Sequence, residues 1–108
     1  MNIIELIPYL KSLHKAESVS QVFLPDIEFD LVELYVKDKL ALDSEVVFLN
    51  ADSIPNELKI ELDGVLYENL FPLYMAQEMV EEYVKTYNDE LSDMEIAKRL
   101  LEYRVNDA

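Results

Sequence analysis

The sequence predicts an α+β fold that is rich in helix, with a small antiparallel sheet or hairpin packed against a C-terminal antiparallel helical hairpin. Asp63-Gly64 separates two runs of alternating apolar residues, which is a strong short-range signal for a β-hairpin. Residues 72–104 contain two apolar stripes at helical spacing, joined by a few residues. One Gly and four Pro in 108 residues also favour long regular elements. A single globular domain is expected, and an all-α fold is the alternative.

The N-terminal segment is predicted to be a helix over residues 3–15. Its apolar residues recur at helical spacing: Ile3, Leu6, Ile7, Leu10 and Leu13. Asn2 and Glu5 have the spacing of a capping box at its start. Pro8 conflicts with that start because proline lacks an N–H group, so the alternative is a helix that begins near Ile7.

The middle of the chain contains patterns that are compatible with more than one secondary structure. The short apolar run at 20–25, which ends at Pro25, is interpreted as a strand. Residues 27–39 alternate like a strand in part, yet acidic residues at one end and lysines at the other favour a helix. A helix is the preferred reading there. The β-branched and aromatic run at 45–50 predicts a strand, expected to be central in its sheet.

The C-terminal half has clearer patterns. The hairpin around Asp63-Gly64 is preferred over a helix at 54–62 that would be capped by Gly64. A helix is predicted from Pro72 to about Asn88. A second is predicted to begin after Ser92, with Glu95 completing a capping box. The residues expected to face inward from this last helix are Ile96, Ala97, Leu100, Leu101 and the stem of Arg104.

Charge is the strongest global feature of the chain. Nine Lys and Arg stand against 23 Asp and Glu, which gives a net charge of −14. Residues 1–25 are neutral overall, residues 26–69 carry −9, and residues 70–108 carry −5. Such a field repels nucleic-acid phosphates and anionic membranes, and it attracts basic proteins. We therefore expect no direct binding to nucleic acid, although Ser92–Arg104 is compatible with the first helix of a helix-turn-helix.

Motifs for catalysis and for cofactors are missing from the sequence. There is no Cys, the single His14 lies in a polar segment, and with one Gly both the Rossmann and the P-loop fingerprints are absent. The spacing of Asp26, Glu28 and Asp30 starts like a calcium loop, but Leu31 occupies the position that requires Gly. We expect no enzymatic activity, no cofactor and no metal. An enzyme with carboxylate-bound magnesium is a minor alternative.

The N-terminus has neither a basic leader nor a small-residue cleavage site, and no apolar run approaches the roughly 20 residues that span a bilayer. A cytoplasmic protein without a membrane segment is expected.

These features predict a small acidic binding module that engages a protein with a basic surface. Immunity-type inhibitors, antitoxins and phosphate-mimicking proteins work in this way, because carboxylates steer association onto a positive site. The residues expected to bind the partner are Asp26, Glu28, Asp30, Glu33, Glu57, Glu61, Asp63, Tyr67 and Glu68. The alternative is a structural homodimer. Its seam, or a second partner patch, is expected at Tyr74, Met79, Tyr83 and Tyr87, since Tyr and Met are enriched at interfaces.

Overall fold

A computed structural model describes residues 1–107 as four α-helices and one four-stranded antiparallel sheet. The helices are α1 (Ile3–Leu10), α2 (Leu13–Phe23), α3 (Leu73–Thr86) and α4 (Asp93–Asp107). The strands are β1 (Val32–Lys37), β2 (Val46–Asn50), β3 (Lys59–Leu62) and β4 (Val65–Pro72). Short 3-10 turns at Phe29–Leu31 and Ala51–Ser53 flank the first two strands. The α+β prediction with its C-terminal helical hairpin is confirmed.

The four helices lie on one face of the sheet and close the hydrophobic core there. Helix α1 is the innermost, because Ile3, Leu6, Ile7 and Leu10 are all fully buried. Its start is the predicted capping box: the Glu5 N–H donates to Asn2 Oδ1 and the Asn2 N–H donates to Glu5 Oε1, each at 2.9 Å. The alternative start near Ile7 is wrong, since Pro8 lies inside the helix with its ring exposed.

The prediction of one continuous helix over residues 3–15 is also wrong. The helix ends at Leu10, and Ser12 begins a second one, with its hydroxyl accepting from the Lys15 N–H at 3.2 Å. Helix α2 then includes the run at 20–25 up to Phe23, where a strand was expected. A short apolar run is compatible with either a strand or a helix. The buried residues of this segment, Ala16, Val19 and Ser20, have the spacing of one helix face.

Within residues 27–39 the chain forms the 3-10 turn Phe29–Leu31 and strand β1, so the helix predicted for this segment is wrong. Val32, Leu34 and Val36 alternate into the core, and Tyr35 is buried on the opposite face. The charged residues at the two ends of this segment favoured a helix, but the interaction of each such charge with a helix dipole contributes only about 0.3–1 kcal/mol. Burial of several apolar side chains outweighs them, since each contributes about 1.5–3 kcal/mol.

The strand order is β2-β1-β4-β3. The predicted strand at 45–50 exists as β2, but it is an edge strand, so its expected central position is wrong. Its apolar character reflects packing under the helices, where the rings of Phe48 and Phe23 stack with centroids 4.9 Å apart. The Val46 N–H also donates to the Met1 carbonyl at 2.8 Å, which covers part of the outer edge of β2.

Strands β3 and β4 form the predicted hairpin, with Leu62 opposite Val65 and positive φ angles of 52° at Asp63 and 81° at Gly64. Two positive φ values are typical of the tight turns that join such strands. The competing helix at 54–62 is therefore wrong. Because β2 and β3 lie at opposite edges of the sheet, residues 51–58 must cross it. They do so over the face opposite the helices, where the Tyr35 hydroxyl donates to the Glu57 carbonyl at 2.8 Å.

Candidate functional site

The first part of the candidate site is a concavity on one flank of α3, here called the acidic pocket. Four carboxylates line it, from three separate elements: Glu17 of α2, Glu28 and Asp30 before β1, and Glu78 of α3. Tyr74, Gln77, Leu13 and Phe29 complete its walls, and its volume is about 440 Å³. Segments distant in the sequence therefore bring four negative charges to one concave surface.

Charge in the acidic pocket is not compensated within the described part of the chain. No Lys, Arg or His side chain lines the pocket, and none of its four carboxylates forms a salt bridge. Water solvates these groups in the isolated protein, because all four residues are exposed. A cationic partner group that enters the pocket would meet a concentrated negative potential.

Gln77 is the polar residue at the base of this pocket, and it is 4% exposed. Its Nε2 donates to the Leu10 carbonyl at 3.3 Å and to Glu81 Oε2 at 2.9 Å. The second bond lowers the pKa of the Glu81 carboxyl, with support from Lys85. Gln77 thereby ties α3 to the end of α1 and holds the wall that carries Tyr74 and Glu78.

The second part of the candidate site lies between α3 and α4 and is called the Met/Tyr groove. Its apolar lining consists of Met75, Met79, Tyr83 and Tyr103, and its volume is about 310 Å³. Glu78 and Glu82 form its acidic rim. A smaller hollow of about 240 Å³ continues from Tyr83 and Tyr103 towards Arg99, Glu102 and Asn106.

Two aromatic rings define the floor and one wall of the Met/Tyr groove. Tyr83 is half-buried, and this burial raises the pKa of its phenol. Tyr103 packs against Phe71 of the core with ring centroids 6.1 Å apart, yet it stays 48% exposed. A ring that is anchored on one side and exposed on the other offers a pre-positioned contact surface.

The structure divides the predicted Tyr/Met patch. Met79 and Tyr83 lie together in the Met/Tyr groove, and Tyr74 lines the acidic pocket on the other side of Glu78. Tyr87 lies at the end of α3, where the guanidinium carbon of Arg99 is 4.7 Å from its ring centroid. The half-buried Tyr87 ring is therefore engaged in a cation–π contact within the chain itself.

The predicted partner-binding residues are spread over several surfaces. Glu28 and Asp30 line the acidic pocket, and Asp26 is exposed in the turn just before them. Glu33 lies on the sheet face that faces away from the helices. The remaining five follow the crossing segment and the β3–β4 hairpin: Glu57, Glu61, Asp63, Tyr67 and Glu68. In the hairpin Glu68 is opposite Lys59.

Glu33 has the most unusual environment of these carboxylates. It accepts a hydrogen bond from Asn69 Nδ2 at 3.2 Å and lines a hollow of about 240 Å³ beneath the crossing segment. Burial raises the pKa of the Glu33 carboxyl, and the bond from Asn69 opposes this effect only in part. The group lines this hollow together with Tyr35 and Pro55 and is part of the packing under residues 51–58.

Sequence reasoning missed six members of the site: Glu17, Met75, Gln77, Glu78, Glu82 and Tyr103. Met75 could have been predicted, because Met75, Met79 and Tyr83 recur at four-residue spacing beside the buried stripe of α3. No comparable pattern identifies Glu17. It reaches the acidic pocket only because α2 packs beside α3, which the sequence of α2 does not specify.

A third concavity, the α1–α2 groove, differs in chemistry from the other two. Its lining is mainly apolar, with Tyr9, Val22 and Phe23 among its exposed members, and its volume is about 640 Å³. His14 and Lys15 line it, and no carboxylate does within residues 1–107. His14 lies in the first turn of α2, whereas the predicted helix over residues 3–15 would have placed it in a last turn.

The described residues contain no cluster of three or more His, Cys, Asp or Glu side chains placed to hold a metal ion. No α-helix within residues 1–107 is both long enough and apolar enough to cross a bilayer. Comparison of the chain with protein-family models, characterised proteins and solved structures found no match. Function must therefore be inferred from the surface chemistry of the chain itself.

Proposed function

We propose that the protein is a non-catalytic binding module that engages a basic surface of a partner protein through the acidic pocket and the Met/Tyr groove. One observation carries the proposal: Glu78 lines both concavities, so that four carboxylates and an apolar groove are parts of one continuous surface along α3. Charge provides attraction over distance, and the apolar lining provides area to bury.

Association would proceed in two physical stages. The net charge of −14 attracts a basic partner over roughly a Debye length, about 8 Å at physiological salt. Lysines or arginines of the partner then reach the acidic pocket while apolar groups pack on Met75, Met79 and Tyr103. An inhibitor of immunity type, or a mimic of phosphate groups that covers a positive active site, uses the same physics.

Charge reversal at the pocket tests the proposal against a matched control. Glu17→Lys with Glu78→Lys changes the pocket, whereas Glu57→Lys with Glu61→Lys changes exposed residues elsewhere. Each Glu→Lys change adds two charges, so both doubles move the net charge from −14 to −10.

Proteins retained from the native cell extract would be identified for the wild type and both doubles at low and high salt. We expect basic proteins retained by the wild type and by the control double, and lost in the pocket double and at high salt. Equal losses in both doubles, or retention that ignores salt, would contradict the proposal.

Self-association is a second candidate, and the α1–α2 groove favours it. Two copies of an acidic chain repel each other across α3, but residues 1–25 are neutral overall and their groove contains no carboxylate within the described chain. A second copy that approaches along this groove buries Val22 and Phe23 in a two-fold, self-complementary contact. The homodimer expected from the sequence is thus proposed at α1–α2, and not at the C-terminal hairpin.

A further inference from the structure

We infer that the Met/Tyr groove binds a basic amphipathic helix: a short helical segment of the partner with an apolar stripe flanked by lysines or arginines. The inference rests on the proposed function and specifies the chemistry of its ligand. Three features of the groove support it, namely its length, its lining and the charge of its rim.

The length of the groove suits two turns of a helix. Met75, Met79 and Tyr83 follow one another at four-residue spacing along α3. Eight residues of an α-helix span about 12 Å, and a ligand helix presents an apolar side chain about every 5 to 6 Å along one face. Two or three apolar anchors can therefore occupy the groove, with Tyr103 of α4 forming the opposite wall.

The lining is adaptable at one side and fixed at the other. Met75 is 37% exposed, and methionine side chains are flexible and polarisable, so they fit apolar groups of different shapes. Tyr103 is held against Phe71 and keeps its position. This combination is typical of grooves that accept the apolar face of a helix.

The rim selects the charge of the ligand. Glu78 and Glu82 lie on the α3 side, and Glu102 borders the adjoining hollow on the α4 side. Lysines or arginines that flank an apolar stripe would lie opposite these carboxylates on both sides. Arg99 lines the adjoining hollow together with Glu102, and its guanidinium carbon lies 4.7 Å from the centroid of the Tyr87 ring.

Backbone chemistry favours a helix over an extended segment in this groove. Side chains of α3 and α4 form its walls, and the backbone groups within these helices are already paired. An extended peptide would find no ladder of N–H and C=O groups there, whereas a helix satisfies its own backbone. An extended peptide could instead pair with an edge strand of the sheet, β2 or β3, which does not line this groove.

A pair of synthetic peptides tests the inference. Both are about 14 residues of leucine and lysine, or roughly four turns, and have the same composition. One has its leucines at i, i+3, i+4 and i+7, and the other has them scattered around the helix. Affinity would be measured by calorimetry for the wild type, for Met75→Ser with Met79→Ser, and for Met94→Ser, an exposed methionine of α4 outside the groove.

We expect the striped peptide to bind the wild type at least about tenfold more tightly than the scattered one, because partial burial of one leucine is sufficient for that ratio. The double variant should reduce the ratio towards one, and Met94→Ser should leave it unchanged. Met79 packs against the core, so Met75→Ser alone serves as the variant if the double does not fold.

The outcomes separate the inference from the proposed function. Equal, salt-sensitive binding of both peptides would overturn the helix inference while the acidic binding module stands. A preference for the striped peptide that survives both groove variants would overturn it too, since the site would then lie elsewhere. If neither peptide binds at low salt, the inference and the proposed attraction to basic surfaces both fail.

Discussion

Arg104 of α4 donates a hydrogen bond from Nε to the backbone carbonyl of Asn69 in β4, at 3.0 Å. Asn69 lies at a β-bulge, because Tyr35 pairs with Asn69 while Leu34 pairs with Phe71, so that Leu70 is the extra residue. The bulge places Leu70 and Phe71, although consecutive, both in buried positions. Arg104 is only 8% exposed, so its guanidinium joins the last helix to the irregular part of the sheet.

Arg104→Met should lower the free energy of unfolding by about 1.5–3 kcal/mol. Methionine keeps most of the apolar stem, but the Asn69 carbonyl loses a charged donor in a partly buried place. Denaturant unfolding followed by circular dichroism measures the change. Lys98→Met, at an exposed position of the same helix, removes the same charge and should have little effect. Equal losses in both would mean that net charge, and not the hydrogen bond, is responsible.

Leu100→Asp should destabilise the domain by about 4 kcal/mol or more. Leu100 is fully buried against the core, where a carboxylate is costly to bury, and the Arg104 guanidinium one turn along the helix already donates to the Asn69 carbonyl. Val105→Asp, at a position 59% exposed on the same helix, is the control and should stay folded. Thermal unfolding distinguishes the two variants. A normal melting temperature for Leu100→Asp would mean that α4 does not close the core in solution.

Ser20→Ala should leave the stability unchanged or raise it by about 1 kcal/mol. The Ser20 side chain is buried, and its hydroxyl has no hydrogen-bond partner among the described residues, so removing it ends the cost of burying that hydroxyl. Ser18→Ala is the comparison, because the exposed Ser18 hydroxyl donates to the His14 carbonyl at 2.9 Å. A clear loss of stability in Ser20→Ala would show that the buried hydroxyl is bonded in solution.

Glu33→Gln should raise the free energy of unfolding at pH 7. It should also reduce the amount by which that free energy falls as the pH rises above 4.5. Burial raises the pKa of Glu33 in the folded protein above the ordinary value of 4.5, so the folded state holds this proton more tightly than the unfolded chain. Stability therefore falls as pH rises from about 4.5 through the raised pKa, and it stays lower above that. Glutamine does not titrate and can still accept from Asn69.

The measurement for Glu33→Gln is the difference in unfolding free energy between variant and wild type across this pH range. Taking the difference cancels other carboxylates, such as Glu95, whose pKa is lowered by the backbone hydrogen bond from Ser92. The difference should grow as pH rises. A difference that is flat with pH would mean that Glu33 has an ordinary pKa.

Val22→Asp tests self-association at the α1–α2 groove. Val22 is 75% exposed, so the change leaves the fold intact while placing a charge in an apolar contact. The wild type should dimerise at concentrations above about 1 μM, which is the weak end of the affinity range for interfaces of standard size. Dimerisation should tighten as salt screens the repulsion between two acidic chains, whereas binding of a basic partner should weaken with salt. Sedimentation that finds a monomer for the wild type at all salt concentrations would exclude this dimer.

Part of the candidate site followed from the sequence. Glu28, Asp30, Tyr74, Met79 and Tyr83 were predicted as contact residues and line the two concavities on α3. The acidity of residues 26–69 did not predict one acidic face, because strands direct alternate residues to opposite sides of a sheet. Glu33 and Glu57 lie around the crossing segment, on the face opposite the helices.

Local interactions account for what the sequence by itself determined. The capping boxes of Asn2 with Glu5 and of Ser92 with Glu95 join atoms three residues apart, and the Asp63-Gly64 turn depends on its own φ angles. Interactions of this range depend only on residues that are close together in the sequence. The start of α1, the β3–β4 hairpin and the C-terminal helices could therefore be predicted.

Tertiary structure decided the rest. Residues 20–23 and 32–37 each carry apolar patterns compatible with helix or strand, and the neighbours that pack on them select one state. The same dependence brings Glu17, Glu28 and Glu78 together, since their positions follow from how α2, the 3-10 turn and α3 pack. The free energy of long-range packing is a property of contacts between distant segments, and no short stretch of sequence contains it.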